Sequence, residues 1–181
     1  MSITILFGSP NTDGLTETAA KRVQSGIVAS GKEAVLVDLC EKNIQLCKIC
    51  GDGWGQCRSK GECILKDDFT AIYQQLAESE GIVFVTAVYW HDLTENFKAF
   101  LDRLRRCETR HNHWLKDKTC MLVACAGGSG NGAIPCLQKL EVTLKHFEMV
   151  PVERLPVTRF SREYMLEALI QAGKTYGESF H

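Results

Sequence analysis

Apolar residues follow two alternating patterns along the chain. Ile3 to Phe7, Ala34 to Leu39, Ile82 to Thr86 and Cys120 to Ala126 are short apolar runs of the kind expected for parallel strands covered on both faces. Val150 to Val157 is a fifth run, but Pro151, Glu153, Arg154 and Pro156 mark it as an edge strand. Between the runs, apolar residues recur at helical spacing. The first helix, over residues 17 to 29, carries Ala19, Ala20, Val23 and Ile27 and is closed by Gly31. Phe69, Ile72, Tyr73 and Leu76 follow a capping Asp67, and Phe97, Phe100, Leu101 and Leu104 follow a cap at Asp92 or Thr94. Leu137, Leu140 and Leu144 mark the fourth helix, and Met165, Leu169, Ala172 and Tyr176 the fifth. Lys98, Asp102, Arg103, Arg105 and Arg106 fall largely opposite the apolar stripe of their helix, as a solvated face with a basic end.

Strict alternation of strand and helix over residues 1–181 predicts one α/β domain built on a doubly wound, five-stranded parallel sheet with helices on both faces. The common strand order is 2-1-3-4-5, whose ligand crevice lies at the carboxyl ends of strands 1 and 3. The loops after strands 1, 3 and 4 are therefore the candidate site.

The first loop, Gly8-Ser9-Pro10-Asn11-Thr12-Asp13-Gly14-Leu15-Thr16, joins a strand to a helix, so backbone N–H groups and the helix dipole converge where a phosphate binds. Ser9, Thr12 and Thr16 add hydroxyl donors. Gly8 and Gly14 are one residue too far apart for a nucleotide-triphosphate loop, and Leu15 stands where its lysine belongs. Pro10 occupies the second glycine of a dinucleotide fingerprint. A single phosphate monoester fits better.

In the second loop, Ala87-Val88-Tyr89-Trp90-His91-Asp92-Leu93, Tyr89 and Trp90 can pack against a flat heteroaromatic ring whose polar edge bonds to adjacent backbone, the arrangement by which a protein holds a flavin. His91 is a local donor or a solvent-facing loop histidine. The third loop, Gly127 to Gly132, contains Gly128-Ser129-Gly130-Asn131-Gly132-Ala133; it reads as close backbone approach to the ring edge, with transient pyridine-nucleotide contact or a plain turn as alternatives.

A net charge of −1 without a basic run argues against nucleic acid. No apolar stretch reaches the roughly 20 residues of a membrane span, and Met1 to Phe7 lacks a signal-peptide layout. The expectation is a soluble cytoplasmic protein. Nine cysteines, an odd number, point to reduced thiols or metal ligands. Residues 40 to 66 form a long cysteine- and glycine-rich excursion without apolar periodicity. Within it Cys47-x2-Cys50-x6-Cys57-x5-Cys63 offers four thiolates, and the readings are a metal-free loop, an iron–sulfur cluster or zinc. Trp54 covers a flavin or lines a partner interface. Cys40, Cys107, Cys120, Cys125 and Cys136 lie in or beside strand and helix patterns and behave as small apolar residues.

Gly8-Ser9-Pro10 with Thr16, then Val88-Tyr89-Trp90 followed by Lys98-Ala99-Phe100-Leu101-Asp102-Arg103, resembles the NAD(P)H-dependent FMN reductase family of flavodoxin-like proteins over most of the chain. It is most similar to the branch that includes the iron–sulfur flavoproteins, which carry a cysteine-bearing insertion ahead of an Asp-Asp pair matching Asp67-Asp68. The resemblance implies FMN, with phosphate contacts at Ser9, Asn11 and Leu15-Thr16, and Thr12, Asp13 and Gly14 between them complete the cofactor-binding loop. It places ring contacts at Ala87, Val88, Tyr89 and Trp90 and around Gly127, Gly128 and Ser129. It also implies a homodimer or homotetramer whose neighbouring subunit closes the flavin site. Ala87 stands where the family usually has proline, which changes loop rigidity. The family's iron–sulfur members use a compact C-x2-C-x2-C, whereas Gly51 to Gln56 separates the second and third cysteines here; zinc prefers two close pairs.

The expected function is hydride transfer from NADH or NADPH to FMN and onward to a small acceptor such as a quinone, free flavin or nitroaromatic. Stacking delivers the hydride, so no acid–base residue is required. The alternatives are an iron–sulfur flavoprotein that passes single electrons to a protein partner, with a [4Fe-4S] cluster on the four cysteines, and a non-enzymatic FMN-binding redox sensor.

Overall fold

The computed structural model describes residues 2–180. Five parallel strands, β1 (Ser2–Gly8), β2 (Glu33–Asp38), β3 (Gly81–Ala87), β4 (Thr119–Ala126) and β5 (Val150–Thr158), form one sheet in the order β2-β1-β3-β4-β5. The helices are α1 (Leu15–Ala29), α2 (Gln56–Ser59), α3 (Phe69–Glu78), α4 (Glu95–Cys107), α5 (Ala133–Lys145) and α6 (Arg162–Glu178). A π-helical turn, Glu108–Asn112, extends α4. The alternation and strand order match the expectation. The extra helix is the single turn α2 inside the cysteine-rich excursion, too short to leave an apolar period.

The sheet divides two cores by side-chain parity. Leu6, Phe84, Leu122 and Ala124 meet α3, α4 and α5 through Leu76, Phe97, Phe100 and Leu140. Ile3, Ile5, Val83, Val85, Met121 and Val123 meet α1 and α6 through Ala20, Val23, Ile27 and Leu169. β1, β3 and β4 are thus buried on both faces, which explains their unbroken apolar runs. β5 is the half-exposed edge, and its register against β4 shifts between Cys120 and Met121, beside Pro151, which has no N–H for the ladder.

The α1–α6 contact depends on small residues. A Cβ at Gly26 would lie 2.0 Å from the Ile170 carbonyl oxygen, one at Gly173 2.3 Å from that of Val23, and one at Gly177 2.1 Å from the Ser30 hydroxyl. The two backbones meet there with no room for a side chain. α6 also docks on the sheet through Tyr176, whose hydroxyl donates to the Thr119 carbonyl at 2.8 Å and accepts the Ile82 N–H at 3.0 Å.

The start of α4 lies at Thr94, one of the two caps foreseen; its hydroxyl donates to the Gly8 carbonyl at 3.4 Å and accepts no N–H of the helix. The N-cap residue of α3 is Asp68, which makes no side-chain cap bond; the Asp67 carboxylate one residue earlier accepts the Phe69 N–H at 3.3 Å and so still serves the helix start. Replacing Gly173 with alanine is expected to cost about 1–3 kcal/mol through overpacking, and Gly173→Leu more, measured as a lowered denaturant midpoint.

Candidate functional site

The carboxyl ends of β1, β3 and β4 open into a cleft of about 550 Å³, within the usual range of a small-molecule site. All three candidate loops border it. From the first loop, Ser9, Asn11, Leu15 and Thr16 line the cleft. Thr12 and Asp13 are exposed and, with Gly14, do not line it; the Asp13 N–H is taken by the Glu17 carboxylate at 2.8 Å. Gly14 is the N-cap residue of α1, and no side chain caps that end. The first-turn N–H groups therefore remain for an anion, aided by the helix dipole. Ser9 is buried, and its hydroxyl accepts the Asn11 N–H at 3.3 Å, which holds the turn.

From the second loop, Ala87, Val88, Tyr89, Trp90 and His91 line the cleft. The Val88 N–H donates to the Cys125 carbonyl at 3.0 Å, so the loop leaves β3 still attached to β4. Tyr89 is partly exposed, and Trp90 stands 96% exposed at the rim. From the third loop come Gly127, Gly128 and Ser129. A Cβ at Gly127 or Gly128 would meet nothing within 4 Å, so bare backbone borders open space.

Gly130 and Gly132 of the third loop and His91 of the second also border the cleft, as do Cys125 and Ala126, to which the sequence pattern assigns only a place in a strand. Ala87 pairs with Cys125 across the sheet, so register could have revealed Cys125 and the Ala126 that follows it in β4. Burial pushes the Cys125 thiol up to about 12, with a hydrogen bond to Thr16 opposing, so it is a neutral thiol in the floor of the cleft. Among the described residues no Asp, Glu, Lys or Arg lines this cleft. It offers backbone N–H groups, hydroxyls and a helix dipole at one end, of the kind that receive an anion, and open space bordered by bare glycine backbone at the other.

The cysteine-rich segment forms a second feature. Cys47, Cys50, Cys57 and Cys63 line one cavity with Arg103, Arg106 and Cys107, but its volume is about 20 Å³, room for about one water. Among the described residues no three His, Cys, Asp or Glu side chains converge to hold a metal ion. The donor set is gathered, but the geometry fits neither a tetrahedral zinc, which needs four ligands on one point, nor a cluster, which needs a wider space. Burial, then the neighbouring Cys57 and Cys63, pushes the Cys107 thiol up to about 12.

Arg103 holds this segment to the sheet domain, and it is not on a solvated face as its helical position implied. Its side chain is 1% exposed and its guanidinium grips the fully buried Asp67 carboxylate at 2.6 and 2.9 Å. The same group donates to the Gln45 carbonyl at 3.0 Å and the Cys63 sulfur at 3.2 Å, and stacks 4.3 Å from the Phe69 ring centre. The excursion folds over that side of α4 and turns what would be surface into interior. Asp67 also accepts the Gln45 N–H at 2.9 Å. Further along, Arg106 donates to the Gly53 carbonyl and lies 4.3 Å from the Trp54 ring centre, while Asn112 in the π-helical turn donates to the Gly61 carbonyl at 2.8 Å. Trp54 is thereby committed to arginines of α4 and its extension.

Fold and cleft together define a flavodoxin-like α/β protein with an open cleft at its topological switch point. Residues 1–160 match the family model of NADPH-dependent FMN reductase, and the chain belongs to that family of flavin oxidoreductases. Two similar proteins are iron–sulfur flavoproteins of Methanocaldococcus jannaschii. One is 28% identical over 132 residues, covering 73% of this chain and 65% of its own, so the chain spans slightly less than two thirds of that relative. The other is 28% identical over 153 residues, covering 84% and 75%. Among solved structures, an NAD(P)H:quinone oxidoreductase from Methanothermobacter marburgensis shares the fold, with a TM-score of 0.73, 15% identity, and coverage of 100% of this chain and 99% of that one.

Burial raises the Asp67 pKa, but the hydrogen bonds from Arg103 and Gln45 outweigh it and hold the carboxyl below its ordinary 3.8. A depressed folded value means that this pair's stabilisation is complete above the unfolded carboxylate pKa and is lost as pH falls through the folded one. Asp67→Asn is expected to cost about 3–5 kcal/mol by leaving Arg103 buried and unpaired, read as a lowered melting temperature whose acid-side pH dependence is shallower by the share of this one carboxylate.

Proposed function

We propose that the chain is a single FMN-binding domain with a cysteine-rich insertion at about residues 40–66, and that it uses NADH or NADPH to reduce a small acceptor such as a quinone, a free flavin or a nitroaromatic. The observation that carries this reading is the charge-free cleft, which joins an uncapped helix N-terminus to bare glycine backbone and an aromatic loop. Bound FMN supplies a hydride acceptor and two-electron store. The residues of the chain bind and orient it. Backbone N–H groups at Leu15 and Thr16, with the Ser9 hydroxyl and the Asn11 side chain, receive the phosphate. Backbone at Ala87 to Tyr89 and Gly127 to Ser129 meets the ring edge. The buried Cys125 thiol stays neutral in the cleft wall and adds no charge to the site. A second copy of the chain packs beside the cleft in a homodimer or homotetramer in the cytoplasm and closes its flavin end, leaving the rim at Trp90 open.

Four cysteines on one cavity and the iron–sulfur relatives favour a second reading, a flavoprotein electron carrier serving a protein partner. It requires the loop to open beyond its present geometry.

Freshly purified protein is expected to be yellow with an FMN spectrum and to oxidise NADPH steadily when a quinone is added. Thr16→Glu, which places a carboxylate against the phosphate, is expected to lose flavin by at least a hundredfold in affinity, from like-charge repulsion of roughly 3 kcal/mol or more in the cleft; unchanged flavin content would remove the phosphate assignment. Iron and sulfide analysis after anaerobic purification separates the two readings, since an iron-free yellow protein eliminates the electron-carrier one.

A further inference from the structure

The turn at the rim of the cleft carries an unexplained conformational cost. Trp90 (φ 48°) and His91 (φ 64°) are consecutive residues in the left-handed region, which a side chain with a Cβ disfavours and which Asn-Gly pairs normally occupy in tight turns of this kind. The turn is closed on both sides, with the Tyr89 N–H donating to the Asp92 carbonyl and the Asp92 N–H to the Tyr89 carbonyl, each at 2.9 Å. Asp92 is itself fixed, by the Leu93 N–H at 2.8 Å and the Lys139 ammonium at 2.7 Å. Behind the tip, a Cβ at Gly132 would stand 2.6 Å from Val88 and 3.2 Å from the His91 backbone, so the glycine loop backs directly onto the turn.

This support does not serve packing. Trp90 is 96% exposed, and no ring or cation contact to its indole occurs among the described residues. A large apolar ring is held out at the mouth of a cleft by an over-determined turn at a disfavoured φ. Strain that the surrounding structure enforces without a packing return marks a functional position. We infer that Trp90 is the specificity-determining platform for the oxidising substrate, a flat aromatic acceptor that stacks on the indole as it enters the cleft. The inference rests on the FMN reading of that cleft. An indole offers a large rigid face, so it favours planar acceptors over compact inorganic ones. Among the described residues no Asp, Glu, Lys or Arg lines the cleft to attract an acceptor by its charge, so the ring face is the feature left to select by shape.

The test compares wild-type holoprotein with Trp90→Gly and Trp90→Phe, using NADPH as donor and either menadione, a planar quinone, or ferricyanide, a compact octahedral ion, as acceptor. The expected result is that the ratio of kcat/KM for menadione to that for ferricyanide falls about fivefold to tenfold in Trp90→Gly and recovers largely in Trp90→Phe. Melting temperature in Trp90→Gly is expected to hold or rise, because glycine adopts a positive φ without penalty. An unchanged ratio overturns the inference. So does flavin loss from Trp90→Gly, which would make the indole a cofactor contact. A smaller sedimenting mass overturns it by making the indole a subunit contact, and a lowered melting temperature by making it a packing residue. A wild type without FMN, or inert with both acceptors, brings down the proposed function as well; an active wild type with an unchanged ratio brings down this inference alone.

Discussion

Burial of β1, β3 and β4 on both faces is the constraint from which the rest follows. Strands sealed above and below by helices have no polar side chains to spare, and Thr4, a polar residue buried within β1, pairs with the Ser79 hydroxyl at 2.7 Å. Chemistry can then reside only where the strands end. At the carboxyl edge the chain must turn from strand to helix, and each reversal exposes backbone N–H and C=O groups with no ladder partner. Three such reversals meet at the switch between β1 and β3, and the cleft is the space they share.

The character of the cleft follows from what those turns contain. Glycine, serine and short aliphatic residues dominate, and the charges nearest the first loop are directed elsewhere: Glu17 binds the Asp13 N–H and Lys21. An anion bound without a cationic side chain relies on fixed backbone dipoles, which need no reorganisation on binding. This suits a cofactor that must be held while its ring changes charge.

The excursion after β2 solves a different problem. A segment of that length without a core of its own stays ordered only if something buried holds it, and here that is the Arg103–Asp67 pair, with Phe69 beneath and Gln45 and Cys63 around it. A buried ion pair offers little net stability but imposes one geometry, because removing either partner leaves an uncompensated charge. The Arg103 Nε–H lacks a protein partner even so, and Arg106, Arg110 and Asn112 extend the attachment to Trp54 and Gly61. The cysteines are therefore presented by α4 and the π-helical turn that continues it, rather than by the sheet.

Periodicity alone determined the five strands and their alternation with helices, because burial on one face or two dictates where apolar residues must recur; the strand order and the carboxyl-end location of the site followed from the common topology of such alternation. Loop composition was enough to set the first turn apart from the triphosphate and dinucleotide motifs, since Leu15 stands where the first needs lysine and Pro10 where the second needs glycine. Tertiary structure alone decided that Arg103 is interior, that Thr12 and Asp13 turn away from the cleft, that Cys125 forms its floor, and that Gly26 and Gly173 are contact points between helices. Each of these depends on residues far apart in the chain. A helical wheel places Arg103 opposite the apolar stripe, but it carries no information about a segment some forty residues earlier that folds back to cover it.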